Sequence, residues 1–142
     1  MVWKFAVCAL IAGASLHSSA QPADALQPQL YDVITETALP NLEETLRYAT
    51  TRERRCLEPD QLWSAFPILH HSALQGCRLE QEGRRPDYLS YVLACEGGHG
   101  TTGRATWQLG SSESVGTLDV KLGGKNMTFY QRITARPLGA CR

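Results

Sequence analysis

From residue 30 onward the chain alternates apolar and polar side chains in short runs, separated by proline, glycine and asparagine. Alternation of period two marks a strand with one covered face. Residues 30–37 place Tyr31, Val33, Thr35 and Thr37 on one side, and Pro40-Asn41 ends the run. Residues 45–56 form a second candidate strand, whose charges at Arg52, Glu53, Arg54 and Arg55 suit a sheet edge or a solvated face. The period then changes. Pro59, Asp60 in a first turn, and Leu62, Trp63 and Phe66 at helical spacing predict a short helix over 59–66, stopped by Pro67 and lying as a cap on the core.

Three hairpins follow, and their registers can be checked because opposed residues of an antiparallel pair share a face. The first turns at Arg85-Pro86-Asp87 and opposes Cys77 to Cys95, Leu79 to Leu93, Gln81 to Tyr91 and Gly83 to Leu89. The second turns over 110–113 and opposes Ala105 to Leu118 and Trp107 to Gly116, so that a glycine leaves room for the indole. The third turns at Gly123-Gly124, whose glycines accept the positive φ of a type I′ turn, and opposes Val120 to Met127 and Leu118 to Phe129. Leu118 and Val120 serve two hairpins from one face, so successive strands bury the same side.

These patterns predict a mainly β domain: an antiparallel meander of about seven strands that curls into a small barrel or half-barrel to cover its apolar face. A β-sandwich is the competing architecture. The inner face collects Trp107, Leu118, Phe129, Tyr91 and Leu93. In so small a barrel such residues more often fill a core than line a cavity, and the same five are the candidate contacts for a small apolar ligand if the interior is hollow.

The first 20 residues have a different character. Lys4 precedes an apolar run over 5–16, and Ser18 and Ala20 put small residues three and one positions before a cut at Gln21, the pattern of a cleavable signal peptide. A bilayer needs about 20 apolar residues, so this run predicts no stable membrane anchor. Cys8 lies within it, behind Phe5-Ala6-Val7, which does not suit lipid attachment. Cleavage leaves 142 − 20 = 122 residues, with a flexible stretch over 21–29 and a single disulfide-stapled domain over 30–142. Four cysteines remain, Cys56, Cys77, Cys95 and Cys141, an even set that reads as a disulfide framework in an exported chain. The predicted register brings Cys77 opposite Cys95, at the separation of about 4.5 Å that a non-hydrogen-bonded pair has, and leaves Cys56 for Cys141, a bridge that would tie down a tail that Arg136-Pro137-Leu138-Gly139 carries off the last strand. Pairing of Cys56 with Cys77 and of Cys95 with Cys141 is the competing connectivity.

The order of short motifs carries a family resemblance. Gln29-Leu30-Tyr31-Asp32-Val33, Arg55-Cys56-Leu57, Gly76-Cys77, Cys95 and the terminal Leu138-Gly139-Ala140-Cys141 together resemble the domain of unknown function 3617 family. The chain departs from that pattern at Tyr31, where tryptophan is usual, at Glu58, where threonine often stands, and at Pro137 within the ending. The resemblance covers nearly all of the exported part. It implies a small protein in the periplasm of a Gram-negative bacterium, and it implies no activity.

Candidate chemistry is sparse. Without Lys4 the chain has 14 − 1 = 13 Lys and Arg against 14 Asp and Glu, so it offers no basic field to nucleic acid or to anionic lipid. His70, His71 and His99 with Glu96 are the weak alternative for a metal site, at spacings that suit no helix or hairpin site, and no metal or cofactor is expected. The loop over 97–103 is rich in glycine but lacks the lysine and the following helix of a phosphate cradle. Ser111, Ser112 and Ser114 read as turn residues, and Glu80 and Glu82 alternate outward, so no set of nucleophile, base and oxyanion donor assembles. The expectation is a non-enzymatic binding module for a small apolar ligand or a cell-envelope component. The alternative is a structural or interaction protein with a filled core and a working outer surface, where Tyr48, Tyr88 and Tyr130 are candidate contacts and an envelope protein a candidate partner.

Overall fold

The computed structural model describes residues 27–39, 48–97, 100–124 and 127–141. Seven strands form within them: β1 (Gln29–Ala38), β2 (Tyr48–Leu57), β3 (Cys77–Arg85), β4 (Tyr88–Cys95), β5 (Thr102–Gln108), β6 (Ser114–Leu122) and β7 (Met127–Ala140). They make one antiparallel sheet in the order β2-β1-β7-β6-β5-β4-β3. The meander runs from β3 to β7, and β1 then joins β7 and carries β2 to the far side. The sheet does not close on itself. β2 and β3 are both edges, so of the predicted barrel and half-barrel the open form is the one adopted.

Alternation sets the inner face. β6 buries Ser114, Gly116, Leu118, Val120 and Leu122 and turns the residues between them outward. Leu89, Tyr91 and Leu93 of β4, Ala105 and Trp107 of β5, Ile133 and Ala135 of β7, and Tyr31 and Val33 of β1 complete the same layer. Trp107 sits opposite Gly116, as the alternation implies, and is fully buried. A Cβ on Gly116 would lie 2.6 Å from Cε2 of Trp107, so the glycine is needed for space.

The β2–β3 connection has to travel from one edge of the sheet to the other, and it does so across the inner face. The predicted helix over 59–66 is replaced by three 3-10 turns, Leu62–Ala65, Pro67–His70 and Ser72–Leu74. Two prolines explain the difference. Pro59 is spent inside a turn closed by the Gln61 N–H on the Glu58 carbonyl (2.9 Å), and Pro67 holds Phe66 extended at ψ 109°, so neither side supports a continuous α-helix. The capping role is kept. Leu62, Ala65, Phe66 and Leu74 are buried, and the Phe66 ring stands 5.6 Å from that of Trp107 at a tilt of 53°. Gln131, buried on β7, accepts from the Ile68 N–H (3.2 Å) and donates to Thr37 Oγ1 (2.9 Å), while Arg55 donates to the Ala65 carbonyl (3.1 Å).

Three further expectations need correction. In the β3–β4 hairpin the register holds from Cys77–Cys95 to Gln81–Tyr91 and then slips, so Gly83 faces Ser90 rather than Leu89 and only Pro86-Asp87 form the turn. The extra residue of this bulge is Glu82, whose carboxylate lies 3.2 Å from Arg104. The β6–β7 hairpin closes at Leu122–Met127 and not across Gly123-Gly124, which places Val120 against Phe129 and Leu118 against Gln131. A displacement of two residues keeps every side chain on its predicted face. The second strand, expected over 45–56, is described from Tyr48 to Leu57, and 45–47 lie outside the described residues. Finally, β7 does not end before Arg136-Pro137-Leu138-Gly139 but runs on beside β1 to Ala140, with a bulge at Leu138.

Two substitutions test this packing. Gly116→Ala is expected to destabilise the domain by about 1–3 kcal/mol, because the added methyl overlaps the Trp107 ring, and a denaturant midpoint unchanged from wild type would contradict that overlap. Tyr91→Phe should be neutral or stabilising by about 1 kcal/mol, since the buried Tyr91 hydroxyl has no hydrogen-bond partner among the described residues. A loss larger than that would mean the hydroxyl is bonded after all.

Candidate functional site

Both disulfides pair as the register favours, Cys77 with Cys95 and Cys56 with Cys141. The Glu96 N–H donates to the Gly76 carbonyl at 3.0 Å, which makes the adjacent Cys77–Cys95 pair the close, non-hydrogen-bonded kind that a bridge can span. Cys56 lies on edge strand β2 and Cys141 just past β7, with β1 between those strands, and the bridge draws their Cα atoms to 5.8 Å. Two such bonds belong to an oxidising compartment. Among the described residues no helix is long and apolar enough to cross a membrane.

The sheet offers two faces for chemistry. On the inner one, Trp107, Leu118, Tyr91 and Leu93 lie in one packed cluster with Phe66 and the other buried residues of the crossing segment, and Phe129 is half-buried against it. Burial raises the Tyr91 phenol above its ordinary range, as it does that of Tyr31. Four of the five residues expected as ligand contacts are therefore core residues of a covered face, and Phe129 lines a cleft beside it.

Of the weak alternative for a metal site, His70, His71 and Glu96 fall within the described residues. His70 ends one 3-10 turn and His71 precedes the next, where its Nδ1 accepts from the Ala73 N–H at 3.1 Å and is spent as a cap. Glu96 follows β4 and lies 3.4 Å from Arg78. His99 is outside the described residues. Among the described residues no cluster of three histidine, cysteine or acidic side chains could hold an ion.

The outer face carries the polar structure. Asp32 of β1 accepts both arms of the Arg52 guanidinium, at 2.9 Å from Nε and 2.6 Å from Nη2, and faces Arg54 and Arg136 on the two neighbouring strands. The hydrogen bonds from Arg52, and then the charges of Arg52, Arg54 and Arg136, hold its carboxyl below the usual range against the opposing effect of burial. Further along, Arg132 lies 3.4 Å from Glu36, Thr106 and Thr117 share a hydrogen bond of 2.9 Å, and the Arg85 guanidinium stacks 4.7 Å over the Tyr88 ring.

Among the described residues at least two clefts open on this face. One, of about 440 Å³, lies over β5 and β6 between Arg104, Asp119, Lys121 and Thr128. The other, of about 340 Å³, lies over the far ends of β2, β1 and β7 and is bounded by Tyr48, Ala38, Tyr130, Glu36, Thr50 and Arg132. Tyr48 and Tyr130 are two of the three tyrosines expected on the working surface, and the sheet gathers them while Tyr88 stands at the other end of the strands. No family model, curated protein or solved structure matches the chain. Composition did not single out Ala38, Glu36 or Arg132. Their shared parity with the two tyrosines was visible, but only the β1–β7 pairing, which joins residues about a hundred positions apart in the chain, puts them in one place.

The lowered carboxyl of Asp32 fixes the sign of a pH effect. A carboxylate with a depressed folded value stabilises the fold above its unfolded value of about 3.9, and that contribution is lost as pH falls through the folded value. Asp32→Asn should therefore be less stable than wild type at neutral pH, with the gap closing in acid. Urea midpoints measured across that range check it, and a gap that does not change with pH would assign the effect to shape rather than charge.

Proposed function

We propose that the protein is a non-enzymatic, periplasmic binding module that works through the outer face of its open sheet. The observation that carries this reading is the packing of Phe66 on Trp107. The segment between the two sheet edges occupies the space that a small apolar guest would need, and admitting one would require stripping four buried side chains from the inner face. The outer face, by contrast, presents open clefts rimmed by aromatic, charged and hydroxyl side chains that remain free to meet a partner. Export through a signal peptide cut before Gln21 agrees with the two disulfides. Kinship with the domain of unknown function 3617 family belongs to the same proposal and rests on the cysteines and the Leu138-Gly139-Ala140-Cys141 ending.

Expression of the whole chain in a Gram-negative host tests both halves. The protein should be released by osmotic shock, and its mass should correspond to a chain starting at Gln21 with two disulfides and no adduct. A stoichiometric lipid or metabolite retained under native mass spectrometry would overturn the outer-face reading in favour of an interior carrier.

A further inference from the structure

Three neighbouring strands set an aromatic ring, a methyl group and a second aromatic ring in one row. Tyr48 of β2 stands opposite Ala38 of β1, and Ala38 stands opposite Tyr130 of β7. Strands repeat every 4.8 Å or so, which places the two tyrosines about 10 Å apart over a floor no taller than a methyl. The adjoining row is Thr50, Glu36 and Arg132, with the carboxylate and guanidinium 3.4 Å apart. The result is a slot with two aromatic walls and an ion pair at one end. Tyr48 is 69% exposed, so its wall meets solvent rather than another part of the described chain.

The charges narrow what can enter. An anion would meet Glu36 and a cation would meet Arg132, so neither gains from the pair as a whole. A wholly apolar ligand would strip water from both charges and return no hydrogen bonds. A neutral ring with hydroxyl groups on its rim satisfies both, donating to the Glu36 carboxylate and accepting from the Arg132 guanidinium, with the Thr50 hydroxyl in the same row. The C–H faces of such a ring lie against the two tyrosines. A volume of about 340 Å³ is at the small end for ligand sites, which suits one or two ring units rather than a whole chain.

We infer that the Tyr48–Ala38–Tyr130 slot is a binding site for a neutral pyranose unit of a glycan. This rests on the outer-face reading above and gives it a ligand class. The glycan can extend past β2, because that strand is the sheet edge.

The test is an amide-detected NMR titration of the exported chain with the tetramer of N-acetylglucosamine, with cellotetraose, and with indole as a planar aromatic probe. Saturable shifts at Glu36, Ala38, Tyr48, Thr50, Tyr130 and Arg132 are expected with at least one sugar. Tyr48→Ala and Tyr130→Ala should each weaken that binding about tenfold, while Tyr88→Ala leaves it unchanged. The exposure of Tyr48 means that its variant should keep the wild-type spectrum elsewhere, which separates lost contact from lost fold. Absence of sugar shifts at tens of millimolar, shifts that survive both tyrosine substitutions, or a slot that answers only to indole would each overturn the inference. Sugar shifts confined to the cleft between Arg104 and Lys121 would overturn the slot and leave the outer-face reading standing, whereas a guest retained in the interior would remove that reading itself.

Discussion

An open sheet with one apolar face cannot stay folded unless something covers that face, and here the only chain long enough to do it among the described residues is the β2–β3 connection. The strand order makes this unavoidable. β2 and β3 are at opposite edges, so the connection must cross the sheet, and the inner face is the side that rewards the crossing. Everything else adapts to that passage. Trp107 fills the middle of the sheet because Gly116 gives way beneath it, Phe66 closes over it, and Gln131 meets the Ile68 amide of the passing segment.

The two edges left by this arrangement are treated alike. Each edge strand carries one cysteine, β2 through Cys56 and β3 through Cys77, and each is bonded inward, to Cys141 beyond β7 and to Cys95 on β4. Both edges are also charged, with Arg52, Glu53 and Arg54 on one and Arg78, Glu80 and Arg84 on the other, which discourages pairing with a stray strand. Because the interior is occupied by the protein's own side chains, the surface is where recognition chemistry has room, and the row of tyrosines depends on β1 being wedged between β2 and β7.

Much of this was legible in the alternation. Face assignments for Tyr31, Val33, Thr35, Leu79, Tyr91, Leu93, Ala105, Trp107, Leu118 and Val120 follow from period two, which survives even the displaced β6–β7 register because a slip of two residues leaves the face unchanged. Trp107 over Gly116 was legible for the same reason. The bulge at Glu82 was not, since one unpaired residue changes no local pattern, and the gathering of residues around the slot was not, since nothing near Ala38 encodes a partner at Tyr130. The predicted helix failed because proline marks helix starts and turns equally well, and Glu58-Pro59-Asp60-Gln61 took the second use.

The bridge from Cys56 to Cys141 has a consequence for how the sheet can come apart. It joins β2 to the end of β7 across the start of β1, so β2 and β7 frame the first strand and are tied to each other covalently at that end. Another copy of β1 cannot take the place of the resident one without first entering that frame, which guards against exchange of the N-terminal strand between molecules. Force applied to the N-terminus would have to shear β1 lengthwise past both neighbours at once, because the bridge prevents them from spreading apart. The same geometry brings Cys56 and Cys141 within bonding reach when β2 and β7 lie on either side of β1, so seating the first strand favours this pairing over the competing ones.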